Sequence, residues 1–419
     1  MKKSLKKRRT ITLMKGGKFL GEGSYGCVVS PALSCKAAML KYNHNTNKTR
    51  KSMKSDSNNN KKTVSKIILT PNDDIKDEII ISNKLKSIDP QQKYFITINE
   101  YCKIKNVPQD RSNIARVKYV GDISGYYQKL EKKDLDKKYC PIDLAKNPLN
   151  LVMPHGGYDL IDISNAINYY GLSDKYMTSD KYKKLDIAIK NKLMIGRKLF
   201  KNLKKCIKNL LTGLYKMHQN RIVNRDIKEE NIIANYNENT KQVEIRYIDY
   251  GLSDQLTTEF CKDANNIELK GTYDLIASEI FITYYLNKYY KYGYSDNYIM
   301  GKINKDIQSY VKKQLKSLNI DRTELYNIVR QLYSKIKGEF INKTILQKYF
   351  GINDHLNGYL QKGDIYTLGI SLYEFLDSYT NVIDIKKDLR LYDLLTKMID
   401  LNPDTRYNSL QCLNHPYFK

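Results

Sequence analysis

The apolar periodicity of this chain changes along its length, and that change constrains the fold more than any other feature. KFLGEGSYGCVVSP (18–31) reads as strand, glycine turn, strand. TVSKIIL (63–69) is an apolar run of strand length, and LNLVMPHGG (149–157) is another, ended by a Pro/Gly breaker. Between them PNDD caps a helix, IKDEIIISNKLKSI, with Ile75, Ile79 and Leu85 on one face. From residue 189 helical spacing takes over: Leu199, Leu203, Ile207, Leu210, Leu211 and Leu214 form one stripe over 189–219. A short strand is expected at RYIDYG (246–251), and the remainder is helical. Strands dominate the first third and helices the rest, which predicts an α+β chain of two lobes of different class.

Composition bounds what such a chain does. The formal net charge of +27 favours acidic substrates, nucleic acid or anionic lipid, although abundant Lys, Asn, Ile and Tyr without Trp also fits an AT-rich coding bias. Seven scattered cysteines, none spaced C-x-x-C, suggest neither a zinc site nor a disulfide framework, and so a reducing compartment. No apolar run approaches the ~18 residues of a membrane span, and ITLM is too short for a signal peptide. A soluble intracellular protein is expected. Residues 1–18 read as a basic flexible arm, with polar insertions near 36–62 and 103–147. Residues 290–360 are Tyr- and Lys-rich and read as an insertion with amphipathic helices around 303–316 and 322–337.

Several segments carry chemistry. Gly21-Glu22-Gly23-Ser24-Tyr25-Gly26-Cys27-Val28 fits G-x-G-x-x-G-x-V, in which glycines let backbone N–H groups approach phosphate oxygens. Alone it equally describes a tight hairpin. Lys66, among Val64, Ile67 and Ile68, needs an anionic partner, and Glu78 on the next helix is the candidate carboxylate. NRDIKEEN holds Asp226, Lys228 and Asn231, and YIDYG holds Asp249 at a glycine turn. A carboxylate for a hydroxyl proton, with Asn and Asp oxygens for magnesium, is what phosphoryl transfer requires. Separately, these segments could be a helix-capping turn and a hairpin.

Taken in order, the segments resemble those of the eukaryotic-type protein kinases. TVSK stands for V-A-I-K, NRDIKEEN for H-R-D-L-K-x-x-N and DYG for D-F-G. GTYDLIASE resembles G-T-x-x-Y-x-A-P-E, ending at Glu279, and GDIYTLGISLYEF resembles D-x-W-S-x-G, with Asp364 as the buried anchor of the catalytic loop. NPDTRYNSLQCLNHPYF resembles D-P-x-x-R…H-P-W-F, with Arg406 as the partner of Glu279. The resemblance implies a bilobal kinase-like fold: a small antiparallel β lobe with one main helix at 19–155, and a larger, mainly helical lobe at 156–419. It implies ATP and magnesium as cofactors. Gly21 to Val28 would cover the phosphates, Lys66 would contact them and Glu78 would orient Lys66. Asp226 would accept the substrate proton, Lys228 would steady the phosphoryl group, and Asn231 and Asp249 would hold the metal. Met153 resembles the gatekeeper, and the Pro154 carbonyl and Gly156 N–H would address adenine. Lys228 and Thr272 match the serine/threonine-type pattern, which implies a protein hydroxyl as acceptor, in an acidic protein if the net charge decides. Divergence and insertions resemble kinases of large nucleocytoplasmic DNA viruses.

Departures keep alternatives open. Asn224 stands for His, Tyr250 for Phe and Ser82 for an apolar residue, a polar version of the family's apolar spine. A pseudokinase or nucleotide-binding scaffold is one alternative. A basic nucleic-acid-binding module using Lys2–Arg9 and 41–62 is another. Ser278 replaces the Pro of A-P-E, and Tyr366 and Tyr417 replace Trp. Arg225 implies a cationic pocket for a phosphorylated Thr257 or Thr258, unless Glu259 or Asp263 already serves. The oligomeric state is not indicated.

Overall fold

The computed structural model describes residues 18–23, 26–33, 63–69, 71, 73–103, 148–271, 275–305, 322–377, 379 and 385–419. The fold is α+β, and the described residues divide into two compact units. One lies within Met1–Ile75 and Thr97–His155, the other within Lys76–Ile96 and Gly156–Lys419. Residues 1–17 of the basic arm and the segments 36–62 and 104–147 lie outside the described residues, as do Ser24, Tyr25 and Thr272.

The first unit is a five-stranded antiparallel sheet. Its strands are β1 (Lys18–Gly23), β2 (Gly26–Ser30), β3 (Thr63–Ile68), β4 (Glu100–Lys103) and β5 (Leu149–Pro154), in the order β1-β2-β3-β5-β4. β1 and β2 pair down to Gly23 opposite Gly26, with an irregularity between Phe19 and Gly21. Ile67, Ile68 and Leu151 are fully buried, as a central strand pair requires. Two polar residues at the centre tie down the chain after β2: Ser65 Oγ accepts from Leu33 N at 2.7 Å, and Asn150 Nδ2 donates to Leu33 O at 3.0 Å. Cys27 on β2 and Cys102 on β4 are each disulfide-bonded, against the expectation drawn from cysteine spacing, but not to each other, since β3 and β5 stand between their strands; Cys206, Cys261 and Cys412 are free. A C-x-x-C spacing marks metal and redox motifs only, and its absence carries no information about other pairings. Lys103, placed in an insertion by composition, ends β4.

Helix α1 (Asp73–Ile88) follows the cap signal, but its buried face differs from the one expected. Ile75, Glu78, Ser82 and Leu85 lie inward with Ile81, whereas Ile79 is only half-buried. The 75/78/82/85 spacing is one helical face, and two of its four members are polar.

The second unit begins with β6 (Tyr158–Asp159), α2 (Leu160–Tyr170), and the short turns α3 (Asp174–Met177) and α4 (Asp180–Lys183). The apolar stripe over 189–219 folds as two helices, α5 (Ile187–Lys201) and α6 (Leu203–Gln219). Asn202 breaks them: its backbone leaves helical geometry at φ −116°, and its Nδ2 joins its N in donating to Lys198 O, at 2.8 Å and 3.1 Å. The stripe hides the break because Leu199 and Leu203 are both buried on either side of it.

After α6 come β7 (Ile222–Val223), β8 (Ile232–Asn237), β9 (Gln242–Tyr247) and β10 (Asp254–Gln255). The strand expected at 246–251 ends at Tyr247, and Asp249 turns into a left-handed conformation at φ 60°. Helices α7 (Thr258–Lys262), α8 (Ser278–Tyr289), α9 (296–305), α10 (Arg322–Ile341), α11 (Ile345–Phe350), α12 (Tyr359–Asp377), α13 (Leu389–Met398) and α14 (Ser409–Leu413) complete the unit. Residues 306–316 of the helix expected around 303–316 fall outside the described residues. α12 is buried on all sides and forms the axis of this unit. Among the described residues no helix is long and apolar enough to cross a membrane.

Candidate active site

Two loops of the second unit are pinned to each other at both ends. The loop 224–231 leaves β7 and enters β8; the turn 248–253 leaves β9 and enters β10. β7 pairs with β10 (Val223 opposite Asp254), and β8 pairs with β9 (Ile232 opposite Tyr247). Ile248 N donates to Asn231 O at 3.0 Å, so the backbones of Asn231 and Asp249 run side by side. Asp249 thereby shares one locality with Asp226, Lys228 and Asn231, although it lies 18 residues beyond Asn231 in sequence.

Within it Asp226 is the hub. Lys228 Nζ donates to Asp226 Oδ2 at 2.9 Å and Oδ1 at 3.1 Å. Asn231 Nδ2 donates to Asp226 Oδ2 and to its main-chain oxygen, both at 2.8 Å. Asp226 N in turn donates to Asn224 Oδ1 at 3.1 Å. With its amide nitrogen committed to Asp226, Asn231 presents Oδ1 as its oxygen for a cation. Asp249 is exposed, and its Oδ1 accepts from Gly251 N at 3.3 Å. Glu78 lies beside the same turn: a Cβ on Gly251 would stand 3.4 Å from Asp249 Oδ1 and 3.7 Å from Glu78 Oε2.

The loop is held from below by Asp364, which is buried on α12. Its Oδ2 accepts from Asn224 N at 2.7 Å and its Oδ1 from Arg225 N at 2.8 Å. His218 at the end of α6 stands 3.2 Å from Asp364 Oδ2 through Nε2 and 3.2 Å from Ser409 Oγ through Nδ1. His218 was not among the expected site residues, since its partners lie 146 and 191 positions away. Arg225 adopts φ 65°, in the left-handed region that disfavours side chains, and Gly271 passes directly against its carbonyl.

A family model for the protein kinase domain matches residues 159–418. The chain belongs to the protein kinase family. No curated protein matches it. The matched span contains Asp226, Lys228, Asn231 and Asp249; it leaves out the glycine loop, Lys66, Glu78, Met153, Pro154 and Gly156.

Other features of the kinase domain follow the expected pairing. Arg406 NH1 donates to Glu279 Oε1 at 2.5 Å and NH2 to Oε2 at 3.1 Å, both side chains fully buried. Tyr366, standing where Trp was expected, lies 4.8 Å from the Arg406 guanidinium through its ring. The polar spine residues are hydrogen-bonded: Tyr250 OH donates to Tyr247 O at 2.7 Å, and Asn224 caps Asp226 N. Phe95 meets Tyr250 edge-on, ring centroids 6.4 Å apart. Ser82 is fully buried.

The pocket beside Arg225 is filled by a residue that sequence reasoning passed over. Asp254, rather than Glu259 or Asp263, pairs with Arg225, and Lys270 Nζ reaches the other Asp254 oxygen at 2.9 Å. Glu229, next to Lys228, has its carboxyl pushed up to about 7 by burial, with Glu374, Glu230 and Asp159 adding repulsion. Burial likewise raises Asp159 to about 6.

In the first unit Lys66 sits half-buried on β3, opposite Val28 on β2 and Leu151 on β5. Met153 and Pro154 end β5, opposite Val64 and Thr63. Gly156 packs against Ile233: a Cβ there would overlap that side chain at 1.7 Å.

Proposed function

We propose that this kinase transfers the γ-phosphoryl group of ATP to serine or threonine hydroxyls of protein substrates. The observation that carries the reading is Asp226, held by Lys228 and Asn231 in a loop laced to the Asp249 turn. Asp226 receives the proton of the attacking hydroxyl. Lys228 keeps the carboxylate aimed before substrate arrives and then turns to the transferred phosphoryl group. Positioning and electrostatic stabilisation supply most of the acceleration in such a site.

Among the described residues no group of three His, Cys, Asp or Glu could hold a metal by itself. That fits magnesium, which is commonly held through one or two protein oxygens together with phosphate. Asn231 Oδ1 and the Asp249 carboxylate are the residues that would hold it, and magnesium, when bound, neutralises charge on the phosphate oxygens. In the other unit, Lys66 and the glycine hairpin of β1 and β2 are assigned to the phosphates by their motif. Glu78 is assigned to orient Lys66, and Met153, Pro154 and Gly156 to adenine.

Serine/threonine specificity rests on Lys228, two residues after Asp226. The hydrogen-bonded state of Tyr250 and Asn224 supports an active enzyme over a pseudokinase, because neither polar replacement leaves an unpaired group in the spine. A net charge of +27 favours acidic proteins at long range. The test is incubation with γ-labelled ATP and a panel of acidic and basic proteins. The native chain should label serine or threonine, and Asp226→Asn should abolish labelling while nucleotide affinity stays nearly intact. Label transfer at the native rate by that variant would remove Asp226 from its assigned role.

A further inference from the structure

The chain from α8 to α9 carries tyrosines and lysines on a surface that the phosphotransfer site does not use. Tyr289 meets Tyr294 and Tyr298 edge-on, with ring centroids 5.4 Å and 5.6 Å apart. Tyr294 and Tyr298 stack on each other at 4.8 Å, with planes 23° apart. Tyr294 and Tyr298 nonetheless remain 46% and 42% exposed: each covers one face of the other, and the rest of the stacked pair is open to a ligand. Gly293, left-handed at φ 76°, turns the chain so that these rings come back towards the end of α8.

Lysines accompany the rings. Lys288 Nζ stands 5.5 Å from the Tyr289 ring centroid, and Lys302 Nζ is 5.5 Å from that of Tyr298. Lys291 and Lys305 are also exposed. Over 278–305 the only acidic residues are Glu279 and Asp296. Glu279 is consumed by Arg406, and Asp296 by Lys337 and Tyr333. Among the described residues of this segment, no other carboxylate is there to answer the four lysines. An acidic protein would satisfy the ammonium groups but not the open rings. A duplex offers phosphates but keeps its bases stacked away. A single strand offers both, and bases on aromatic rings beside cations are how such strands are bound.

We propose that this surface binds single-stranded nucleic acid, bases on Tyr294 and Tyr298 and phosphates on Lys288, Lys291, Lys302 and Lys305. The binding is independent of phosphotransfer.

The test uses the full chain and a fluorescent oligo-dT of about 15 nucleotides, read by anisotropy against salt. The single strand should bind more tightly than a duplex of equal length. Tyr294→Ala with Tyr298→Ala should weaken binding about tenfold or more, whereas Tyr294→Phe with Tyr298→Phe should keep it. Lys288→Gln with Lys291→Gln should flatten the slope of log K against log salt by about 1.4, at about 0.7 per lost phosphate contact. Unchanged melting and phosphotransfer would show that the variants fold. Native affinity in the alanine pair would reduce the binding to general attraction by basic segments. Equal affinity for polyglutamate, or for duplex, would give the surface to another partner and overturn the proposal.

Discussion

Arg225 and Asp254 form an ion pair whose side chains are 3% and 8% exposed, so the charge next to Asp226 is neutralised from within the chain. The pocket that would otherwise call for a phosphorylated threonine is already filled. Thr257 instead caps α7, accepting from Phe260 N at 3.2 Å. Thr257→Ala and Thr258→Ala should therefore leave phosphotransfer unchanged, the former costing about 1 kcal/mol of stability through the lost cap. Asp254→Ala should cost about 3–5 kcal/mol by stranding a buried guanidinium. Denaturant titration and a transfer assay after phosphatase treatment check both, and loss of transfer on dephosphorylation would contradict the reading.

Asp364→Ala should be among the most damaging substitutions in the second unit. It leaves two loop N–H groups and His218 without their acceptor, each worth about 1–3 kcal/mol when buried and unpaired. Transfer should vanish with the loop geometry, and urea midpoints should fall by several kcal/mol equivalent. His218→Phe, which removes one contact of the three, should be milder.

How much of this was legible in the sequence depends on the range of each interaction. β3, β5 and α1 follow from local periodicity, and the Asp226/Lys228/Asn231 set follows from local spacing. Asp254 escaped because its role depends on β7 pairing with β10, which brings it back to Arg225 across 29 residues. The break at Asn202 escaped because the leucine stripe runs through it unchanged. The end of β9 escaped because Asp249 leaves the strand by a backbone rotation that its neighbours do not announce. The disulfide-bonded state of Cys27 and Cys102 has no spacing signature at all.

Gly271→Ala tests the contact between its segment and the loop 224–231. Gly271 has φ 103°, and a Cβ there would stand 2.1 Å from the Arg225 carbonyl. Both the backbone strain and the overlap oppose the substitution, which should cost more than about 1 kcal/mol. A transfer assay should show a lower rate at saturating ATP, since the nucleotide contacts proposed here lie elsewhere.

Glu229 gives stability a pH dependence with a definite sign. Its carboxyl, ordinarily at 4.5, titrates at about 7 in the fold, mainly through burial. Below the ordinary value both folded and unfolded chains hold the proton. As pH rises towards 7 only the folded chain retains it, so this group's contribution is lost through that window. Glu229→Gln cannot ionise. Its Tm should match the native chain at pH 4 and exceed it by about 2–4 °C at pH 8. A Tm difference that did not vary between those two pH values would remove Glu229 as the cause.

The β8–β9 hairpin has a consequence for which changes the kinase can accept. Its strands match residue for residue from Ile232 opposite Tyr247 to Asn237 opposite Gln242, closed by an Asn237 side-chain turn. The hairpin works as a ruler between Asn231 and Asp249. Lengthening its tip at 238–241 keeps the ruler's reading, whereas one residue added within either strand shifts it and turns every side chain beyond to the opposite face. Variation in length belongs at that tip, where it cannot reach the chemistry.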